Sequence, residues 1–364
     1  MTELESIAGL FALAGKVQQI TPLGEGLIND TYKVVTQADA PDYVLQRIND
    51  SIFTDVPLLQ RNIEAVTRHI RGKLEAAGES DIDRKVLKFI PLKDGSGKTY
   101  ALAEGKYWRV SQFISDAYTY QTVDPKYSEF AGEAFGSFEA MLADIPDTLG
   151  ETIPDFHNME LRLRQLREAV SCDRAGRLTS DSGELHAILS EMEDYGEEMC
   201  RAERLHREGK LPKRICHCDT KVNNMMFDSQ GKVLCVIDLD TVMPSFVFSD
   251  FGDFLRTAAN PVPEDSPQLE RVDFDMSIFR AFAAGYIRGT RSFLTAVERE
   301  NLPYAACLFP FMQAVRFFAD YINGDTYYKT SYPEHNLVRT RNQMALFRSA
   351  LSKVPEMTAF LGIL

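Results

Sequence analysis

Ile215-Cys216-His217-Cys218-Asp219-Thr220-Lys221-Val222-Asn223-Asn224, followed by an apolar run that ends at Ile237-Asp238, is the stretch on which the reading of this chain turns. It reads as a short strand, a polar loop and then a hairpin, 224–228 and 232–238, around Ser229-Gln230-Gly231. Asp219, just past the strand, can accept the proton of an attacking hydroxyl. Asn224 and Asp238, at the two outer ends of the hairpin, can give oxygen ligands to Mg²⁺ beside a triphosphate. A polar turn with two acidic bends would also contain an H-x-D-x-x-x-x-N string. The hairpin spacing and the terminal Ile237-Asp238-Leu239-Asp240 favour the chemical reading.

Outward from this stretch the chain has two characters. Residues 17–113 alternate β-branched and aromatic residues between Gly-containing turns. They predict strands over 17–23, 31–36, 43–48, 86–92, 99–103 and 108–113, interrupted by one helix over 57–77 with Thr54 or Asp55 as its cap and Pro57 in its first turn. Beyond Ile114, apolar residues recur at helical spacing over 129–142, 159–169, 185–203, 274–289, 304–322 and 339–351. The expected fold is therefore α+β, with a β-rich lobe over 1–113 and a mainly helical lobe over 114–364.

Bulk properties narrow the partners. A net charge of −13 with no basic stripe argues against nucleic acid, though a local site with Mg²⁺ can still bind ATP. The acidic start Met1-Thr2-Glu3-Leu4-Glu5 lacks a signal-like apolar region, and no run approaches the ~18 apolar residues of a membrane span. A cytoplasmic protein without a membrane partner is the expectation. Six cysteines in 364 residues are too dilute for a disulfide framework, and Cys216, Cys218 and Cys235 lack zinc-ligand spacing.

Other motifs are weaker. Gly24-Glu25-Gly26-Leu27-Ile28-Asn29-Asp30-Thr31 lies between two strands, where glycines can let backbone N–H groups approach phosphates; an ordinary hairpin turn reads the same way. Gly95-Ser96-Gly97-Lys98-Thr99 imitates a P-loop, but Leu92 stands where the first glycine belongs and a strand follows, so it is a hairpin tip. Asp250-Phe251-Gly252 opens an apolar-periodic helix, which makes Asp250 an N-cap and the segment scaffold. His217 reads as a packed strand-end histidine, and Lys221 as either a phosphate contact or a solvated loop cation.

Taken together, His217-Cys218-Asp219 to Asn224, Val236-Ile237-Asp238 and Asp250 to Arg256 resemble the aminoglycoside phosphotransferase and choline kinase superfamily. The resemblance sharpens toward its N-acetylhexosamine 1-kinases at Asp238-Leu239-Asp240-Thr241, Arg316 to Tyr321 and Tyr332 to Arg341. It implies a bilobal protein-kinase-like fold, ATP and Mg²⁺, and a sugar acceptor phosphorylated at the anomeric hydroxyl. It further implies that Asp219 is the base beside the acceptor and that Asn224 and Asp238 hold the metal. Thr241, Arg316 and Tyr327 would line the sugar pocket. Gly24, Gly26, Asn29, Thr31, Gln46, the hinge Gln112-Phe113-Ile114 and Lys221 would serve ATP.

The chain departs from the pattern in three places. The strand lysine that usually pairs with the helix glutamate, here Glu64, is replaced: Gln46 stands in register and Arg47 faces the other way. Leu27 takes the place of a loop histidine, and Cys218 that of the usual Gly or Asn.

Overall fold

The structure, a computed structural model, describes residues 2–24, 28–37, 39–120, 123–180 and 183–364. The chain divides into two compact units. One comprises Met1–Thr119, Asp144–Pro154 and Asn224–Met243; the other comprises Tyr120–Ala143, Asp155–Asn223 and Pro244–Leu364.

The first unit carries a five-stranded antiparallel sheet in the order β1-β2-β3-β5-β4. Its strands are β1 (Val17–Pro22), β2 (Asp30–Thr36), β3 (Tyr43–Ile48), β4 (Tyr100–Ala103) and β5 (Lys106–Gln112). Alternation puts Tyr43 and Leu45 of β3 beside Trp108 and Val110 of β5, in a core shared with Phe11, Val34 and Ile90. The short α1 (Glu3–Ala8) starts at a Thr2–Glu5 capping box. In α2 (Val56–Ala76) the Asp55 carboxylate accepts from the Leu58 amide at 2.8 Å, and Val56, Leu59, Ile63, Val66 and Ile70 are buried at helical spacing.

The strand expected over 86–92 does not form. This stretch runs extended, with only isolated bridges at Phe89 and Leu92, and Pro91 has no N–H to give to a ladder. Gly95-Ser96-Gly97 is a turn, its glycines at φ 79° and 74° and the Ser96 amide bound to Asp94. The late hairpin of β7 (Met225–Phe227) and β8 (Val233–Val236) also belongs to this unit, where Phe227 and Tyr118 exchange both backbone hydrogen bonds, at 2.8 and 2.9 Å.

The second unit is mainly helical: α3 (Pro125–Leu142), α4 (Met159–Cys172), α5 (Glu184–Met199), α6 (Arg201–Arg207), α7 (Phe248–Ala258), α8 (Met276–Thr290), α9 (Ala296–Glu300), α10 (Leu302–Asn323), α11 (His335–Ser352) and α12 (Val354–Ile363), with β6 (Arg214–Cys216) a short strand before the central loop. The single helix expected over 185–203 breaks at Cys200. There the Tyr304 hydroxyl donates to Met199 O at 2.7 Å and accepts from the Ala202 amide at 3.3 Å, and so splits the backbone ladder. Helices α3 and α8 meet through glycines: a Cβ on Gly132 would stand 2.1 Å from Phe282 O, and one on Gly285 2.1 Å from Glu129 O. By length and composition α10 could cross a membrane, yet 89% of its apolar window is buried within the protein, as in a core helix.

Candidate active site

In the second unit, β6 delivers the chain into the loop that carries Asp219. His217 is fully buried, with the Phe135 and Phe138 rings edge-on at 5.4 and 6.0 Å, and its Nδ1 accepts from the Asp219 amide at 3.3 Å. Cys218 adopts φ 62°, the left-handed conformation that Gly and Asn take most readily. Lys221 Nζ lies 2.6 Å from Asp219 Oδ1, so the candidate base and the loop lysine form an ion pair.

Helix α7 holds this loop by its backbone. The Asp250 carboxylate accepts from the amides of His217 at 2.8 Å and Cys218 at 2.7 Å. Thr220 adds two bonds, its amide to Asp253 at 3.1 Å and its hydroxyl to Asp250 O at 2.8 Å. The helix begins at Phe248 with Val247 as its cap residue, so Asp250 is not the N-cap: it sits inside the first turn and turns its charge to the loop.

Acid groups crowd behind this clamp. Burial, the Asp250 charge and a hydrogen bond with Asp250 push Glu139 well above the ordinary carboxylate range, while Tyr286 donates its hydroxyl to Glu139 at 2.8 Å. Burial also raises Asp253 to about 6, against the pull of Arg256 and with a push from Asp219. Ligand atoms of Glu139, Cys216 and Asp250 lie within 4.8 Å of one another, but burial holds the Cys216 thiol well above its ordinary value.

In the first unit, the β7–β8 hairpin brings the two candidate metal ligands to one end. Met225 pairs with Val236, and the Ile237 amide donates to Asn224 O at 2.9 Å, so Asn224 and Asp238 flank the same open end. Asn224 is buried, and Asp238 adopts φ 60°, a conformation that Asp tolerates better than most residues. An amide and a carboxylate oxygen, with no sulfur or imidazole, suit a hard cation such as Mg²⁺.

One turn later, Asp240 is a junction. Its Oδ1 lies 2.6 Å from Arg109 NH1, its Oδ2 accepts from Asn29 Nδ2 at 2.7 Å, and its carbonyl accepts from the Thr152 hydroxyl at 3.0 Å. Arg109 Nε donates to Gln46 Oε1 at 3.0 Å, and Gln46 Nε2 donates to Thr31 Oγ1 at 3.2 Å. Asn29, Thr31 and Gln46 are thereby gathered into one network. Gly24 adopts φ 72° with open space where a Cβ would stand; Gly26 and Leu27 lie outside the described residues. Glu64 accepts from the Thr99 hydroxyl.

Gln112 ends β5, with its amide bound to Lys88 O at 2.8 Å. The Phe113 amide binds Asp42 O at 2.8 Å, and the Ile114 amide has no acceptor among the described residues. Thr241 is buried in the first unit, whereas Arg316 and Tyr327 belong to the second. There the Arg316 guanidinium stands 6.0 Å from the Tyr327 ring and 5.7 Å from Phe156, with Tyr327 itself 69% exposed. Arg109, Asp240 and Asp253 were not singled out by the sequence reading. For Asp240 the repeated acid of Ile237-Asp238-Leu239-Asp240 was the available signal.

Residues 19–293 match the profile of the phosphotransferase enzyme family. The chain belongs to that family. Solved structures similar to this phosphotransferase include an aminoglycoside phosphotransferase from Alicyclobacillus acidocaldarius (TM-score 0.64, 15% identity, 99% of this chain and 96% of that one). A spectinomycin phosphotransferase in complex with ADP and spectinomycin is also similar (0.54, 12%, 100% and 99%), as is a choline kinase from Cryptosporidium parvum (0.55, 13%, 95% and 92%). At these identities the likeness is one of fold, and it agrees with the expected kinase-like α+β architecture.

Proposed function

We propose that this phosphotransferase moves the γ-phosphoryl group of ATP to the anomeric hydroxyl of an N-acetylhexosamine, GlcNAc or GalNAc, giving the sugar 1-phosphate. The observation that carries the phosphoryl-transfer part is the pair Asn224 and Asp238 at one end of a hairpin, five residues along the chain from a carboxylate whose loop is clamped by α7. The sugar rests on the resemblance at Asp238–Thr241, Arg316 to Tyr321 and Tyr332 to Arg341.

In this reading Asp219 orients and deprotonates the acceptor hydroxyl, and Lys221, now paired with it, exchanges that partner for phosphate. Asn224 and Asp238 would hold Mg²⁺, which when bound neutralises charge on the transferring phosphates. Gly24, Gly26, Asn29, Thr31 and Gln46 serve the nucleotide, and the Ile114 amide beside Gln112 and Phe113, without an acceptor among the described residues, offers a donor to adenine. The likeness to a phosphotransferase solved with ADP supports a nucleotide site. Thr241, Arg316 and Tyr327 contact the sugar. Residues 1–113 act as the nucleotide-binding lobe and 114–364 as the catalytic and acceptor lobe, in a cytoplasmic enzyme with neither nucleic-acid nor membrane partner.

An acceptor panel of hexosamines, other sugars, amino alcohols and aminoglycosides, read by ³¹P NMR, tests the assignment: a sugar 1-phosphate shows coupling between phosphorus and the anomeric proton. Phosphate on another hydroxyl overturns the 1-kinase reading and keeps the kinase. Asp219→Asn should lower kcat by at least ~10²-fold. ATP-Mg²⁺ binding by wild type without turnover of any acceptor would point instead to a regulatory pseudokinase.

A further inference from the structure

We propose that Arg109 and Asp240 are a buried positioning pair for the metal-binding turn, and that they take over in this chain the task of the missing strand lysine and its helix glutamate. The usual pair cannot form: Gln46 is neutral, and Glu64 is engaged by Thr99, whose hydroxyl also receives the Gln60 amide at 2.7 Å. A replacement cation lies one strand away. Arg109 on β5 is the direct cross-strand partner of Gln46, Gln46 is the partner of Thr31 on β2, and the three side chains are joined in that order.

The guanidinium is not spare charge on a surface. The side chains of Arg109 and Asp240 are 3% and 4% exposed, and NH1 and Oδ1 touch at 2.6 Å without the alignment of a hydrogen bond. The contact is therefore held by charge, and removing one partner leaves the other charge buried and uncompensated. A pair fixed this tightly determines where its backbone goes. Asp240 lies in the single turn Leu239–Thr241 that follows Asp238, so a displaced Asp240 carries Asp238 with it. The other Asp240 oxygen holds Asn29, whose Oδ1 accepts from the Asn49 amide at 2.9 Å, and so fixes Asn29 itself. One carboxylate thus sets both the turn that presents Asp238 and the side chain of Asn29.

This rests on the reading that Asn224 and Asp238 hold a divalent cation. The experiment compares Arg109→Met, Arg109→Lys, Asp240→Asn and the double variant Arg109→Met/Asp240→Leu. Mn²⁺ binding in the presence of ADP is followed by electron paramagnetic resonance, alongside the Mg²⁺ dependence of turnover. Loss of an outer partner of a metal ligand weakens metal binding about 10- to 100-fold, and that shift is expected in Mn²⁺ Kd and in half-saturating Mg²⁺ for Arg109→Met and Asp240→Asn, with acceptor KM within about twofold. Arg109→Lys should recover most of the loss. The double variant, free of any unpaired buried charge, should unfold as cooperatively as wild type and still show the metal defect, which separates positioning from stability. A folded double variant with wild-type Mn²⁺ affinity overturns the proposal and leaves the kinase reading standing. Wild type that binds no Mn²⁺ with ADP removes the metal site itself, and the pair's role with it.

Discussion

Asp240 in the first unit and Asp250 in the second are both buried carboxylates beside a turn that carries a candidate site residue, but their partners differ. Asp240 faces a guanidinium at 2.6 Å, whereas Asp250 receives the amides of His217 and Cys218 and shares a hydrogen bond with a neighbouring acid, Glu139. Opposite charge neutralises its site. Amides satisfy hydrogen bonding without cancelling charge, and the acids of the second unit have raised proton affinities: Glu139 through burial and then the Asp250 charge, Asp253 through burial, with Arg256 pulling down and Asp219 pushing up. The comparison predicts that the first unit's turn depends on charge balance, and the second's on amide satisfaction and pH.

The largest effect should come from Asp250→Ala. Two buried amides lose their acceptor at once, and an orphaned buried group costs about 1–3 kcal/mol, so the variant should lose about 4 kcal/mol in urea denaturation and most of its turnover. Asp250→Asn keeps one oxygen acceptor and should lose about half as much. Equal losses in the two variants would mean that the charge of Asp250, rather than its amide contacts, holds the loop, and the contrast between the units would fail.

A smaller effect follows from Asp253. Its folded-state value of about 6 exceeds the ordinary 3.8, so between those values the folded state binds the extra proton. For an acid raised on folding, stability is greatest below pH 4 and falls as pH rises through about 6, by about 3 kcal/mol for a shift of this size. Asp253→Asn removes that titration while keeping an acceptor for the Thr220 amide. The difference in unfolding free energy between wild type and variant should therefore swing toward the variant by about that amount from pH 4 to pH 7. A difference flat in pH would show that Asp253 does not titrate there.

Much of this was legible before the structure. The limits of β3 and the range of α2 follow from β-branched alternation and from an Asp-x-Pro start, because each signal is local. The hairpin ends at 224 and 238 were legible for the same reason: spacing alone brings them together. What escaped depends on distant partners. Cys200 interrupts a good helical pattern only because a hydroxyl from residue 304 enters the ladder. Asp250 looks like a cap in sequence and proves a clamp because the loop 33 residues earlier needs acceptors. Arg109 reads as one more strand residue until Asp240, 131 positions later, is placed against it.

The smallest expected effect concerns the two turns themselves, since each has a non-glycine residue in the left-handed region, Cys218 at φ 62° and Asp238 at φ 60°. Left-handed backbone costs a residue with a Cβ about 1–2 kcal/mol. At Cys218, glycine would relieve that strain but give up a buried side chain worth about 0.8 kcal/mol per methylene, and would add about 0.5–1 kcal/mol of chain entropy. These terms nearly cancel, so Cys218→Gly should change stability by less than about 1 kcal/mol. Turnover should persist as well, because burial raises the thiol well above its ordinary value and leaves it a neutral packing group. Cys218→Val, β-branched and unsuited to positive φ, should lose about 2 kcal/mol or more. Urea denaturation of the two variants decides the point. If valine is tolerated as well as glycine, the backbone at 218 is not fixed by the Asp250 clamp, and the loop before Asp219 is set by something other than its amides.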